Sequence, residues 1–307
     1  MYRFGIDLGG TTVKLGLFKE DGELVEKWEI PTRTQENGSM ILPDIATAVL
    51  NKMKERGIET SECIGVGIGV PGPVDAEGVV HRCVNLGWDE FNVAKELESL
   101  LHMPVQAGND ANVAALGEFW LGGGKGSKSM VAITLGTGVG GGIILNGVSL
   151  AGATGAAGEL GHLHVEDKEE EVCGCGNKGC LEQYASATGI VRLAKRRLAK
   201  DSKESVLRGK EITAKEVWDG VKQQDSVSQE IAEQFGEYLG KGLAAVADII
   251  NPEVIVIGGG VSKAGEILLT YVEKYYKKYV FHASRNVKIT LATLGNDAGI
   301  VGAAKLN

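Results

Sequence analysis

Apolar residues recur along the chain in two periods, and their alternation sketches its elements. Residues 3–18 place apolar positions on both sides of Gly9-Gly10-Thr11-Thr12, which predicts a β-hairpin with a tight turn. A third strand is expected over 23–30, ended by Pro31. Spacings of three and four predict helices over 41–56, 92–101, 113–121, 182–200, 264–279 and 299–305, with a short one opening at Thr213. The longest pattern is Val227, Ile231, Phe235, Leu239, Leu243, Val246 and Ile250, a core helix stopped by Asn251-Pro252. Short apolar runs at 63–70, 79–84, 105–107, 254–257 and 287–291 read as strands, and 130–135 with 141–145 as a second glycine-turn hairpin. Strands alternating with helices predict an α/β fold. Gly5-Ile-Asp-Leu-Gly-Gly-Thr-Thr-Val and Ala132-Ile-Thr-Leu-Gly-Thr-Gly-Val-Gly are weakly alike, so one hairpin is used twice and two related lobes are expected.

Composition narrows the classes. The chain has 307 residues, 23% charged and 43% hydrophobic, which suits a globular protein with room for two domains. Its 45 glycines are about twice ordinary usage and cluster in turns, where they admit positive φ and close approach of backbone to a ligand. A net charge of -8 argues against nucleic acid or an anionic membrane as partner. Residues 129–158 carry no charge, but glycine and threonine break them into strand-like pieces rather than a membrane helix. The opening Met-Tyr-Arg-Phe-Gly-Ile-Asp lacks the pattern of a secretion signal, so a cytoplasmic protein with reduced thiols is expected.

Three glycine turns follow strands: 9–12, Gly136-Thr137-Gly138, and Gly258-Gly259-Gly260. Such turns let backbone N–H groups meet phosphate oxygens, though each alone is equally a tight hairpin. Together they point to a nucleotide. Asp7, ending its strand before the first turn, either caps that turn or faces a phosphate-bound Mg²⁺. Asp110 follows Gly108-Asn109 at a strand-to-helix junction, where it is either a helix N-cap or a proton acceptor for a substrate hydroxyl. Cys173, Cys175 and Cys180, in C-x-C-x4-C spacing, read as zinc ligands with His162, or alternatively His164, as the fourth; a site closed by four protein ligands is structural. Glu159 and Glu182 bracket this loop and can accept hydrogen bonds from adjacent sugar hydroxyls. Paired carboxylates also serve glycoside hydrolysis, which has no use for phosphate turns. Cys63 and Cys83 read as buried small residues, His81, His102 and His282 as histidines without a local partner, and 169–171 as a solvated acidic face.

Taken together, Asp7-Leu-Gly-Gly-Thr-Thr, Pro71-Gly72-Pro-Val-Asp75, Asn85-Leu-Gly-Trp88, Asn109-Asp-Ala-Asn112, Leu135-Gly-Thr-Gly-Val-Gly-Gly-Gly142, Glu159-x-x-His162 and Cys173-Gly-Cys-Gly-x-x-Gly-Cys180-x-Glu182 resemble the ROK (repressor, open reading frame, kinase) family of sugar kinases, and within it the glucokinases. The resemblance runs nearly end to end. It implies a two-lobed actin-like ATPase (ribonuclease H-like) fold with a zinc-binding loop in the second lobe. The expected small lobe is 1–109 plus the terminal helix at 297–307, and the large lobe 110–296, with zinc loop and dimerisation surface. The resemblance implies transfer from ATP with Mg²⁺ to the 6-hydroxyl of glucose, Asp110 acting as general base. Around the hexose it sets Gly72, Asn85, Asn109, Asp110, Glu159, His162 and Glu182. Around ATP it sets Asp7, Gly9, Gly10, Thr11, Thr12, Lys14, Gly136, Thr137 and Gly138, with Gly258, Gly259 and Gly260 near the adenosine. Structural zinc would sit on His162, Cys173, Cys175 and Cys180. A homodimer or tetramer is expected, without nucleic acid or membrane as partner. Mannose, N-acetylmannosamine, N-acetylglucosamine or fructose are alternative substrates, and a non-catalytic sugar sensor is the reading from another class.

Overall fold

β1 (Tyr2–Leu8) and β2 (Thr12–Lys19) pair antiparallel as the apolar pattern requires, with Asp7 opposite Lys14 and Leu8 opposite Val13. β3 (Leu24–Pro31) extends this meander. The single turn α1 (Gln35–Gly38) is irregular, with Glu36 and Asn37 both at positive φ. α2 (Ile41–Arg56) buries Ile41, Ile45, Val49 and Met53 on one stripe and ends at Gly57 in the left-handed region. Then come β4 (Cys63–Val70), parallel to β1, the short pair β5 (Val79–Val80) and β6 (Phe91–Asn92), α3 (Val93–Leu101), β7 (Val105–Asn109) and α4 (Asp110–Leu121). The computed structural model describes residues 1–81 and 83–307.

The pattern then repeats. β8 (Met130–Leu135), β9 (Val139–Leu145) and β10 (Val148–Ser149) are followed by α5 (Glu182–Ala185), α6 (Ala187–Leu198), α7 (Ala214–Lys222), α8 (Ser226–Ile250), β11 (Val254–Gly258), α9 (Glu266–Tyr279) and β12 (Lys288–Leu291). One sheet has the order β3-β2-β1-β4-β7 and the other β10-β9-β8-β11-β12. Counted within itself each runs 3-2-1-4-5, so the likeness of the two hairpins reflects a repeated topology. α8, at about 1.5 Å per residue some 37 Å long, is the expected core helix; Asp225 caps it and Asn251 ends it at φ 48°.

α10 (Ala298–Lys305) returns to the first sheet. Contacts divide the chain into one unit of residues 1–128, 142–158 and 294–307 and another of 129–141 and 159–293. This differs from a junction at Asp110, because α4 belongs with α10. A Cβ on Gly302 would stand 1.7 Å from the Val113 carbonyl oxygen, and one on Gly117 2.3 Å from that of Ala298, so the two helix backbones touch. Buried Glu118 adds to this, accepting from the Leu294 and Gly123 amides.

Three expected elements change. The helix at 113–121 begins at Asp110. The helix at 182–200 breaks at Ser186, which is extended and caps α6 through the Gly189 amide. The strand at 79–84 shrinks to β5, because Cys83 pairs with Trp88 around a 3-10 turn, Val84–Leu86; Arg82 lies outside the described residues. Among the described residues no helix is long and apolar enough to cross a membrane.

Candidate active site

In the first unit the residues singled out gather at the C-terminal ends of parallel strands. Asp7, Gly69 and Gly108 stand in one row across β1, β4 and β7. Just past that row, Asn109 caps α4, its side-chain oxygen accepting from the Ala111 and Asn112 amides at 3.0 and 3.1 Å. Its Nδ2 donates to the Gly72 carbonyl at 3.0 Å and to Asp110 Oδ1 at 3.1 Å. The capping role considered for Asp110 therefore falls to Asn109, and the Asp110 carboxylate sits exposed on the first turn of α4, accepting from the Ala111 amide at 2.8 Å. Asn85 is exposed on the Val84–Leu86 turn. Beside it the Cys83 thiol titrates high, chiefly from burial, with the Asp110 charge adding to the effect.

The first glycine turn is closed by the Gly9 amide on the Thr12 carbonyl and tied to the residue just after β3 by the Thr32 hydroxyl on the Gly9 carbonyl, at 2.6 Å. Gly10 and Thr11 are open to solvent. Asp7 beneath them is half-buried, and burial raises its carboxyl above the ordinary value, with Lys14 acting against it.

In the second unit the other two turns meet. β8 and β11 are parallel neighbours, so the 136–138 turn and the 258–260 turn leave adjacent strand ends. α6 seats the former: the Ala187 amide donates to Gly136 O and the Thr188 hydroxyl to Thr137 O, at 2.8 and 2.7 Å. Glu182 joins this turn to the cysteine loop, Oε2 accepting from the Val139 amide at 3.0 Å and Oε1 facing Cys173 Sγ at 3.4 Å. Cavities of about 360, 450 and 410 Å³ share lining residues along this side, running from Glu182 and Gly138 past Thr137 to Gly260 and Val261.

His162, Cys173, Cys175 and Cys180 bring their ligand atoms within 4.8 Å of one another. Cys175 Sγ lies 3.6 Å from Cys180 Sγ, and His162 Nδ1 3.8 Å from Cys173 Sγ. Tetrahedral bonds of about 2.3 Å would separate two sulfurs by about 3.7 Å, so the four groups fit a metal ion. The second His162 nitrogen turns to Glu159, Nε2 to Oε2 being 3.9 Å. His164 is no alternative, because its ring is held by the Lys178 carbonyl at 3.0 Å and Asp167 at 2.8 Å.

The sequence reading missed what anchors this loop. Glu169, expected in a solvated acidic face, has a side chain only 1% exposed. It accepts from Tyr184, Arg192 and Arg196 and from the Glu171 amide. Burial alone would raise its carboxyl; the Arg196 and Tyr184 hydrogen bonds outweigh that and hold it well below the usual carboxylate range. Arg192 and Arg196, one turn apart on α6, were the available signal. His81 also has partners, Asp75 and Glu90, at 3.4 and 3.3 Å.

A family model described as ROK family matches residues 3–307. Glucokinase of Halalkalibacterium halodurans is 43% identical over 305 residues, spanning 97% of this chain and 92% of that protein. Among solved structures, a ROK family glucokinase from Streptomyces griseus in complex with glucose and AMPPNP has a TM-score of 0.76 at 33% identity, covering 100% of this chain and 99% of that one. A ROK hexokinase from Thermus thermophilus has a TM-score of 0.82 at 32% identity, with coverage of 99% and 97%. The α/β fold is thus that of the ROK sugar kinases, of the actin-like ATPase type. By sequence and by fold, the chain belongs to the ROK family.

Proposed function

We propose that this chain transfers the γ-phosphoryl group of ATP to the 6-hydroxyl of D-glucose, giving glucose 6-phosphate and ADP. The observation that carries this reading is the meeting of the 136–138 turn, Glu182 and the cysteine loop around Val139. A glycine turn suited to phosphate and a carboxylate suited to sugar hydroxyls, joined through Val139, suit phosphoryl transfer to a sugar. The relatives named glucokinase favour glucose as that sugar.

On this reading Asp110 accepts the hydroxyl proton as oxygen attacks the γ-phosphorus and the bond to the ADP oxygen breaks, its electron pair leaving with ADP. Asn109 suits the task, since one side chain caps α4, grips Gly72 and donates to Asp110. Asn85, Asn109, Glu159, His162 and Glu182 would hold the hexose. Gly9 to Thr12 and Gly136 to Gly138 would line the phosphates, and the cavity of about 410 Å³ by Gly260 suits an adenosine. Asp7 would hold a divalent cation, with Lys14 nearby; when bound, such a cation offsets charge on the transferring group. The three thiols and His162 Nδ1 are the donor set of a structural zinc, which would stiffen the loop carrying Glu182.

A coupled ADP-release assay across glucose, mannose, N-acetylmannosamine, N-acetylglucosamine and fructose tests the substrate. Glucose should have the highest kcat/KM, and a more than tenfold preference for another sugar refutes this reading. Asp110→Asn should lower kcat by ~10²–10⁴-fold while calorimetric glucose binding largely survives. Near-normal turnover would remove Asp110 from the mechanism.

A further inference from the structure

α10 is fixed against the first sheet with almost no clearance. A Cβ on Gly67 would stand 1.8 Å from the Ala303 carbonyl oxygen, and one on Gly5 1.9 Å from that of Ile300. The Val113 contact at Gly302 fixes it against α4 as well. For the helix to lift away from the sheet, three close backbone contacts on two sides would have to open. On its first turn lies Gly299, directly over Asp7. A Cβ there would stand 2.6 Å from Asp7 Cγ, 2.7 Å from Oδ2 and 3.0 Å from Cβ. Side chains move more easily than backbone locked on two faces, so any added atom would displace the Asp7 carboxylate and not the helix.

From this contact we infer that Gly299 is a positioning residue for the nucleotide's divalent cation: lacking a side chain, it fixes where the Asp7 carboxylate can lie. The inference rests on the reading of Asp7 as the cation-facing carboxylate. Misplacing a group by about 1 Å can cost ~10²-fold, and the site so affected serves MgATP and not the sugar. Lys14 faces Asp7 across the hairpin, and its Nζ reaches the Asn296 carbonyl at 3.5 Å on the segment leading into α10, so the segment meets both residues.

The test is steady-state kinetics of Gly299→Ala in the full chain. The KM for MgATP and the Mg²⁺ concentration for half-maximal rate should each rise about tenfold or more, while the KM for glucose stays within about twofold. Equal rises for both substrates, or none for MgATP, overturn the inference. Asp7→Asn separates its failure from that of the underlying reading. Ordinary MgATP kinetics in Asp7→Asn remove Asp7 from the nucleotide site, whereas an impaired Asp7→Asn beside an unaffected Gly299→Ala overturns the positioning role alone. Thermal melting gives a second readout independent of activity. Asp7→Ala removes the two nearest atoms, Cγ and Oδ2, and leaves only Cβ at 3.0 Å, so Gly299→Ala combined with Asp7→Ala should melt higher than Gly299→Ala alone, or recover folded protein if the single variant yields none. No recovery in the double variant would mean that the collision lies elsewhere and overturns the inference.

Discussion

Glu182 stands where a hexose-binding carboxylate is expected, yet its side chain contacts the Val139 amide, immediately after the phosphate turn, and Cys173. Replacing it should therefore affect both substrates. In Glu182→Ala the Val139 N–H loses a charged acceptor 3.0 Å away. Hydrogen bonds to charged groups contribute about 1.5–3 kcal/mol, so the 136–138 turn loses order equivalent to a roughly 10- to 100-fold weakening of MgATP binding. Glu182→Gln can still offer its amide oxygen to Val139, but with a neutral bond of about 1 kcal/mol; its loss should be nearer tenfold. In a coupled ADP-release assay, with each substrate varied against saturation by the other, KM should rise for glucose and for MgATP in both variants, and more in the alanine one. A rise confined to glucose would show that the bond to Val139 has no bearing on the nucleotide and would refute the reasoning.

Two further outcomes follow from the loop around Cys173. Cys175→Ser should strip the metal, since structural zinc supplies on the order of 10 kcal/mol to local folding; elemental analysis should find zinc in the wild type and little in the variant, with weaker glucose binding, and zinc-free wild-type protein would refute the assignment. Glu169→Gln leaves two guanidinium groups facing a neutral amide, and because Arg196 is 42% exposed the lower end of the range for breaking a buried pair applies, about 3 kcal/mol, or roughly 6–12 °C in Tm for a unit of this size. The pH dependence has a definite sign: the folded carboxyl is depressed, so its contribution is present above the ordinary value of 4.5 and is lost as pH falls below it. Wild-type and Glu169→Gln melting curves should converge on acidification below 4.5, and a constant gap down to pH 3 would contradict the depressed carboxyl.

Much of this was legible in the chain because local rules set it. The α8 stripe, the Gly57 stop and the two Gly-turn hairpins are short-range patterns, and the repeated hairpin announced the repeated sheet. The cysteine loop was legible from spacing, and the structure selects His162 over His164 because Lys178 and Asp167 claim the latter's ring. What escaped depends on partners distant in sequence. Glu169 looks like surface until Tyr184, Arg192 and Arg196 fold over it. Asp110 looks like a cap until Asn109 takes that role, with Gly72 contributed from 37 residues away. The membership of α4 in the first unit depends on Gly117 and Gly302, whose meaning appears only once α10 lies against α4.

The return of α10 also sets the timing of maturation. Phe18, on the second strand made, is covered by Ile300, Val301 and Ala304, which are translated long after it. At about 5–20 residues per second, the interval between synthesis of residue 128 and residue 300 is roughly 10–35 s. The second unit, contained within 129–293, is complete in the nascent chain before the first can close. The first sheet therefore waits through this interval with its glycine-rich face uncovered, and a chain truncated near residue 290 would have one finished half and one open one.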